Sequence, residues 1–439
     1  MKRILLLTTM GVLAGPGLAL ADCAPDNPGA GDVVFCTGAD TDGFSDGSDD
    51  LTVYVQDGAS VAPAAADTDA VKIKGDGNTL LNSGTIEGSD DAVVAGDDLT
   101  LNNDGTIRAA DDGVDTEGHD GLSLTNTGLI ETPGKAVKAG PDDDDEGGNG
   151  LTLVNTAGAV IRSTGNEGIE TGNGADITNK GTIEGFDDAI QVGENATIVN
   201  SGLIANIQTP GDSDDPQDAI DIDSGYIRNE ATGVIRSTVD AAIDFDPGTG
   251  TGVIDNFGLI SGTVAVETDE AVTQDIAVYN AGTLMSTRDG AADPTGLALQ
   301  LRAGNDVFVS FEGSSVVGGA EFGAGDDAFD LIGGFSDIFG GAGALFDGGE
   351  GQDQFSALDY TFDMLSATLT GSILGLSFEN GADSFSVALT GFEIFNFADA
   401  TYGYDDIAAI AQPAPVPLPA GGVLILSALA GFGLLRRRG

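Results

Sequence analysis

Short runs of alternating apolar and polar residues recur through the middle of the chain, and their apolar positions do not follow the 3.6-residue period of a helix. Each run leads into an asparagine, which is followed two to four positions later by a glycine and then by Ile, Val or Leu. Successive asparagines are 21 to 29 residues apart. A period in the low twenties with insertions is typical of a solenoid. The nine asparagines are Asn82, Asn103, Asn126, Asn155, Asn179, Asn200, Asn229, Asn256 and Asn280.

A second apolar position follows the first at a fixed distance. Ile86 is followed seven residues later by Val93, and the same offset joins Ile107 to Val114. With the run before the asparagine, each unit holds three short strands of period 2 separated by Gly, Asn or Asp turns. We therefore predict an all-β, single-stranded parallel β-helix over residues 46–300, in which each strand pairs with its copy about 4.8 Å along the axis. Right-handed winding is the default for parallel crossovers.

The repeated residues of each unit have predicted structural roles. The apolar residue after the glycine, Ile86 in the first unit and Val160 in the fourth, should point inward, into a core that no single coil could bury alone. The glycine is expected to supply a positive φ at the turn. The asparagine should join a ladder in which its side-chain amide bonds the turn or the asparagine of the next coil.

Two insertions interrupt the period, at residues 140–150 and 210–217, and both are rich in aspartate. Loops on a rigid scaffold often carry binding residues. Merely solvated loops are the other interpretation, and the sequence leaves the two open.

The repeats of residues 45–300 resemble the passenger domains of autotransporters and related surface β-helix proteins. The likeness is carried by the motifs Asn-x-Gly-x-Ile and Asp-Asp-Ala-Ile/Val. An autotransporter also ends in an outer-membrane β-barrel of a few hundred residues, and the chain after residue 400 is too short for one. The resemblance therefore implies a passenger-like rod that reaches the surface by another route.

The turns change character in residues 301–400. Gly348–Ser356 matches the Gly-Gly-x-Gly-x-Asp-x-apolar-x nonapeptide of RTX calcium-binding repeats, and two earlier turns resemble it in part. This resemblance implies that Asp306, Asp327 and Asp353 bind Ca²⁺. Their spacings of 21 and 26 residues differ from the nine-residue period of a calcium roll. We therefore predict that the β-helix continues through this segment with RTX-like turns.

The N-terminal residues 1–21 have the features of a secretory signal peptide: a positive start, an apolar stretch and a small-x-small cleavage site. Cleavage is expected between Ala21 and Asp22. Export would place Cys23 and Cys36 in an oxidising compartment, where we expect them to form a disulfide.

Both ends of a solenoid need caps, because exposed terminal coils would otherwise stack on other copies. Residues 22–45, closed by the disulfide, are the predicted N-terminal cap. Leu389–Phe395 resembles the strand that often closes RTX-type arrays and is the predicted C-terminal cap.

The last segment, residues 416–439, combines an apolar run of transmembrane length with a terminal cluster of three arginines, and it follows a predicted linker at residues 401–415. The order of motif, apolar helix and arginines resembles the VPLPA-CTERM sorting signal, a relative of the PEP-CTERM tail. The motif consists of Val416, Pro417, Leu418, Pro419 and Ala420.

This resemblance implies recognition by an exosortase-type membrane protease of a Gram-negative bacterium. The protein would be anchored transiently in the inner membrane and then transferred to the cell surface or the extracellular space. A plain single-span anchor is the alternative.

The chain is strongly acidic, with 71 Asp and Glu against 16 Lys and Arg. Five of the basic residues lie in the two end segments and no acid does, so residues 22–415 have a formal charge of −60. This charge argues against nucleic acid as a partner, because phosphate contacts need basic side chains. With two Cys and one His, a zinc site built on several such ligands is also excluded.

The sequence favours a structural, adhesive or matrix protein, with surface glycans or matrix as candidate partners, over an enzyme. A β-helix hydrolase or lyase is the alternative, and pairs such as Asp187/Asp188 or Asp221/Asp223 could supply its two carboxylates. The single histidine, His119, is expected to be a surface residue. Aspartates stacked one coil apart would repel each other. Bound Ca²⁺, dense hydration and offsets in register are the three interpretations of that stacking.

Overall fold

The computed structural model describes residues 22–141, 147–212, 216–288, 290–333, 344–380 and 383–411. They form a parallel β-helix in which the three strands of each coil go in turn to three long sheets, here called faces A, B and C. The predicted signal peptide and the predicted tail, with its motif at 416–420, lie outside the described residues.

The strands of each face are given in chain order. Face A contains Asp22–Ala24, Val33–Thr37, Thr52–Val55, Thr79–Asn82, Thr100–Asn103, Ser123–Asn126, Thr152–Asn155, Asp176–Asn179, Ala196–Asn200, Gly225–Asn229, Gly252–Asn256, Ile276–Asn280, Val307–Phe311, Ala328–Ile332, Gln354–Ala357, Ile394–Phe397 and Thr401–Gly403. Face B contains Ala39–Asp40, Ser60–Val61, Thr85–Glu87, Thr106–Arg108, Leu129–Thr132, Val160–Ser163, Thr182–Gly185, Leu203–Asn206, Val234–Arg236, Leu259–Gly262, Thr283–Arg288, Ala291–Ala292 and Ser315–Val317. Face C contains Phe44–Asp46, Val71–Ile73, Val93–Ala95, Val114–Asp115, Val137–Ala139, Ile169–Thr171, Ile190–Val192, Ile220–Ile222, Ile243–Phe245, Val266–Thr268, Leu297–Gln300, Gly319–Glu321, Phe346–Asp347, Leu365–Thr370, Ile373–Asn380 and Asp383–Thr390.

Apolar side chains stack in register to form one continuous core. On face B, Ile86 pairs with Ile107, which pairs with Ile130, and all three are fully buried. The predicted inward position of the fourth unit is wrong by one residue, because Ile161 and not Val160 continues this column. The turn after Asn155 has two more residues than the turn after Asn82, and Ala159, not Gly158, stands in the place of the turn glycine. The inward residue therefore comes one position later than the glycine indicates.

The predicted reason for the turn glycines is also wrong. Of the nine glycines after the asparagines, Gly158 alone has a positive φ, of 87°. The glycines that stack between coils instead leave no room for a side chain. A Cβ at Gly202 would lie 2.1 Å from the carbonyl oxygen of Gly181, and one at Gly105 would lie 2.1 Å from that of Gly84. Close approach of successive coils, and not a left-handed backbone, therefore requires glycine here.

The N-terminal cap is a short antiparallel pair. Asp22–Ala24 pairs with Val33–Thr37, and Cys23 lies directly opposite Cys36. The predicted disulfide between the two cysteines is confirmed.

The C-terminal coils have an aromatic core and end in an antiparallel cap. Phe308 stacks on Phe329 at a ring distance of 5.2 Å, in contrast to the mostly aliphatic core of the upstream coils. The strands Leu365–Thr370, Ile373–Asn380 and Asp383–Thr390 form an antiparallel meander at the end of face C. In the segment expected to be a linker, the helix Tyr404–Ala411 packs against the outermost of these strands and buries Ile407 in the core.

Candidate functional site

An uninterrupted asparagine ladder runs beside the core at the end of the face A strands, and it confirms the prediction. Every one of the nine asparagines is at most 1% exposed. The amide nitrogen Nδ2 of each of the first eight donates to the Oδ1 of the next at 2.8 to 3.0 Å, and that of Asn280 donates to the carbonyl oxygen of Ser315 at 3.2 Å. Most also accept a hydrogen bond from the backbone N–H of the turn glycine, as Asn179 does from Gly181 at 3.1 Å. An amide both donates and accepts, so this ladder is internally satisfied.

A column of carboxylates stands at the start of the last face A strands and contains the three predicted calcium ligands. In each case Oδ1 accepts the backbone N–H of the coil before. Asp306 accepts from Ile276 at 2.7 Å, Asp327 from Asp306 at 2.7 Å and Asp353 from Asp327 at 2.9 Å. Glu393 continues the column by accepting from Asp353 at 3.0 Å. The aspartates therefore hold successive coils in register.

The second carboxylate oxygen of these aspartates lacks a hydrogen-bond partner. Oδ2 of Asp306, Asp327 and Asp353 is buried and has no hydrogen-bond partner, and each residue is at most 1% exposed. Burial raises the pKa of Asp306 to about 8 and that of Asp327 to about 6, and it also raises the pKa of Asp353. An oxygen in this state needs a proton or a cation.

The donor set fits Ca²⁺, which prefers carboxylate and carbonyl oxygens. A Cβ at Gly348 would lie 3.0 Å from Oδ2 of Asp353, so glycine keeps backbone close to that oxygen. The three aspartates form a column along the axis, however, and do not converge on one point.

Two other acidic groups do converge. Within the described residues, three ligand atoms lie within 4.8 Å of one another at Asp22, Asp40 and Asp42, and again at Asp69, Asp90 and Asp91. Asp22 belongs to the N-terminal strand pair, so its place beside Asp40 and Asp42 depends on the fold and is not visible in the sequence. A hydrogen bond with Asp40 raises the pKa of Asp42.

The outward-facing side chains of faces B and C differ in how positive and negative charges are arranged along the rod. On face B the row alternates in sign: Arg108 lies 3.2 Å from Glu131, which lies 3.5 Å from Arg162. On face C, Asp221 pairs in register with Asp244, which pairs with Glu267. Offsets in register therefore do not separate these stacked acids, and that interpretation is wrong for this row.

The stacked acids of face C have strongly raised pKa values. Burial raises the pKa of Asp221 to about 8, with further increases from neighbouring aspartates, and raises that of Asp244 to about 7. Asp188 and Asp218 lie in the turns that lead into the face C strands Ile190–Val192 and Ile220–Ile222. Burial also raises the pKa of Asp188 to about 7 and that of Asp218 to about 10.

Each acidic insertion borders a cavity. Pro141 and Asn149, from the first insertion, line a cavity of about 410 Å³ on face C together with Glu170, Asp221 and Asp246. The second insertion borders a cavity of about 430 Å³ next to the ends of the face B strands. Residues 142–146 and 213–215 of these insertions lie outside the described part of the chain.

The candidate catalytic residues do not form a distinct catalytic group. His119 is a partly exposed surface residue, as predicted, and its Nδ1 lies 3.1 Å from Oδ1 of Asp97. Asp221 and Asp223 both line the face C cavity, whereas Asp187 and Asp188 lie at the preceding corner, outside its lining.

These features define the class of the protein as an acidic parallel β-helix solenoid with a buried asparagine ladder. No family model, curated protein or solved structure matches the chain. Across the part of the chain that the structure describes, no helix combines the length and the apolar character needed to cross a membrane.

Proposed function

We propose that the protein is an exported structural or adhesive rod directed to the cell surface. The observation that carries this proposal is the uninterrupted stacking of coils, with one asparagine ladder through nine of them. Such a stack gives a stiff, extended scaffold in which each coil contacts its neighbours. The Cys23–Cys36 disulfide supports an oxidising compartment.

In this proposal, removal of the signal peptide between Ala21 and Asp22 accompanies export. The segment 416–439 then anchors the chain in the inner membrane until an exosortase-type protease processes it near the motif at 416–420. The rod would finally contact surface glycans or matrix.

Deletion of residues 416–439 tests the sorting step. We expect the truncated protein to fail to reach the surface and to accumulate in the periplasm, as measured by fractionation and surface labelling. A matched control replaces the tail with an unrelated single-span anchor that also ends in three arginines. Normal surface delivery of either form would refute sorting through the tail.

A second candidate function is calcium binding by the C-terminal coils. The observation that favours it is the set of unpartnered buried Oδ2 atoms on Asp306, Asp327 and Asp353. Bound Ca²⁺ would supply positive charge to these oxygens and would remove the repulsion between stacked carboxylates.

Calorimetric titration of the purified protein with CaCl₂ tests this function, together with thermal unfolding in Ca²⁺ and in chelator. We expect Ca²⁺ to raise the unfolding temperature and Asp327→Asn to weaken the effect. The matched control is Asp326→Asn, because Asp326 repeats the role of Asn305 one coil earlier and accepts a backbone N–H in the same way. Absence of both heat and thermal shift would refute calcium binding.

The proposal assigns no catalytic activity to the rod. A general acid in a hydrolase needs a raised pKa that its partner carboxylate does not share. Asp221 has a raised pKa, but so do Asp188, Asp218 and Asp244. The common cause is burial among like charges along a stack, which does not separate an acid from a base.

A further inference from the structure

In its described lining residues, the cavity beside the second insertion is close to neutral, in contrast to the acid-lined cavity on face C. Its charged lining residues are Arg288 and Asp293, whose side chains form an ion pair at 2.7 Å. Hydrogen bonds from Thr295 hold the pKa of Asp293 below its usual range, so the carboxylate is ionised and balances the guanidinium. A neutral cavity on a rod with a charge of −60 does not serve to attract cations.

The lining is rich in hydroxyl groups from successive coils. Thr238 Oγ1 donates to the carbonyl oxygen of Gln208 at 2.9 Å, and Ser286 Oγ donates to that of Thr263 at 2.9 Å. Thr287 Oγ1 likewise donates to a backbone carbonyl at 3.0 Å. Because the protons of these hydroxyls are engaged by the backbone, the oxygens present lone pairs and act as acceptors.

The cavity also has a donor that the protein leaves unused. Gln208 lines it and is 2% exposed, and its Nε2 has no hydrogen-bond partner. A buried amide without a partner is destabilising, and buried polar groups in native proteins are normally satisfied. This unpartnered donor beside fixed acceptors indicates a ligand that brings both hydroxyl donors and oxygen acceptors.

The size and shape of the cavity narrow the class of ligand. A volume of about 430 Å³ lies in the range of small-molecule sites. Pro210, Pro216 and Val239 supply apolar wall beside the hydroxyl groups, and this mixed lining suits the apolar faces and the hydroxyls of a sugar. From these features we propose that the cavity binds one end or a short segment of a neutral oligosaccharide.

This inference rests on the proposed function and deepens it, because it gives the class of surface glycan that the rod would contact and the place on the rod where the glycan would bind. Pro210 and Pro216, both from the second insertion, form part of the wall. The site is independent of sorting, so binding by purified protein and delivery of the protein to the surface can fail separately.

The test uses the purified full chain in a detergent without a sugar headgroup. The labelled protein is applied to a printed array of neutral oligosaccharides built from glucose, galactose, mannose and N-acetylhexosamines. We expect binding to at least one of them, about tenfold weaker in Gln208→Leu and lost in Val239→Trp, which fills the cavity. Gln191→Leu is the matched control, because Gln191 lines the other cavity.

Thermal unfolding of each variant checks that the coils remain intact. If Gln208→Leu does not fold, Thr263→Val replaces it, since this change removes one lining hydroxyl and keeps the side-chain size. Absence of binding to every neutral oligosaccharide would overturn the inference. Binding that survives the cavity variants, or that falls equally in Gln191→Leu, would overturn it as well.

Discussion

Replacement of Asn179 by alanine should destabilise the rod strongly. The side chain accepts from Asn155 at 2.9 Å and from the backbone N–H of Gly181 at 3.1 Å, and it donates to Asn200 and to the carbonyl of Leu203, both at 2.9 Å. Alanine leaves the Gly181 N–H without this acceptor and removes one partner each from the other three groups. At about 1 to 1.5 kcal/mol for each bond lost in a buried site, the expected loss is about 4 to 6 kcal/mol.

Urea unfolding followed by circular dichroism measures this loss, and hydrogen exchange locates it. Because each coil of a solenoid interacts with its neighbours, exchange should accelerate most in the coils next to Asn179. The control is Thr178→Ala on the same strand, whose side chain is half-buried outside the core, and it should change stability by about 0.5 kcal/mol or less. Equal unfolding midpoints for the two variants would refute the reasoning.

Asn179→Asp extends the same prediction to pH. A carboxylate can still accept from Asn155 and Gly181 but cannot donate to Asn200 or Leu203. The buried acid should have a raised pKa in the folded state, so its contribution favours folding at low pH and is lost as the pH rises. We expect this variant to be clearly more stable at pH 4 than at pH 8, relative to Asn179→Ala.

Three further predictions concern other parts of the rod. Burial raises the folded pKa of Asp221 to about 8, so its contribution to stability should fall as the pH rises from about 4 to 8. After allowance for partial exposure, we expect a fall of about 1 to 2 kcal/mol between pH 5 and 7. The free energy of unfolding in urea should therefore depend less steeply on pH in Asp221→Asn, and an unchanged slope would contradict this prediction. Gly202→Ala should lower the unfolding temperature because its Cβ would meet the Gly181 carbonyl, whereas an unchanged temperature would show that the coils can separate. Cys36→Ser removes the disulfide to Cys23, 13 residues away, and should lower the stability of the N-terminal cap by about 2 to 3 kcal/mol. Hydrogen exchange should become faster in this cap and stay unchanged in the C-terminal coils.

The period of the chain is sufficient to predict the ladder and most of the core. An asparagine repeated at a constant place in each coil has a copy one coil away, so its amide must find that copy. The physical reason for the turn glycines could not be predicted in the same way, because a positive φ and a close approach between successive coils both require glycine. The shift from Val160 to Ile161 could not be predicted from the motif, because Ala159 stands where the other coils have the turn glycine, and the glycine of this turn comes one residue earlier.

The two cavities could not be predicted from the sequence, although the insertions beside them could be located. The lining of the neutral cavity comes from residues as distant as Gln208 and Gly296, which only the stacking of coils brings together. The column of Asp306, Asp327 and Asp353 was identified through its motif, but the unpartnered Oδ2 atoms depend on side-chain orientation.

One position in the coil shows how the rod changes along its length. Leu99 and Leu122 directly precede their face A strands and are buried among other apolar side chains. Asp306, Asp327 and Asp353 directly precede the later face A strands and are equally buried. A leucine at this place needs no partner, but a carboxylate needs a proton or a cation for its second oxygen. At this position the upstream coils therefore add no dependence on pH, whereas the C-terminal coils should depend here on the pH and the cations of the surrounding solution.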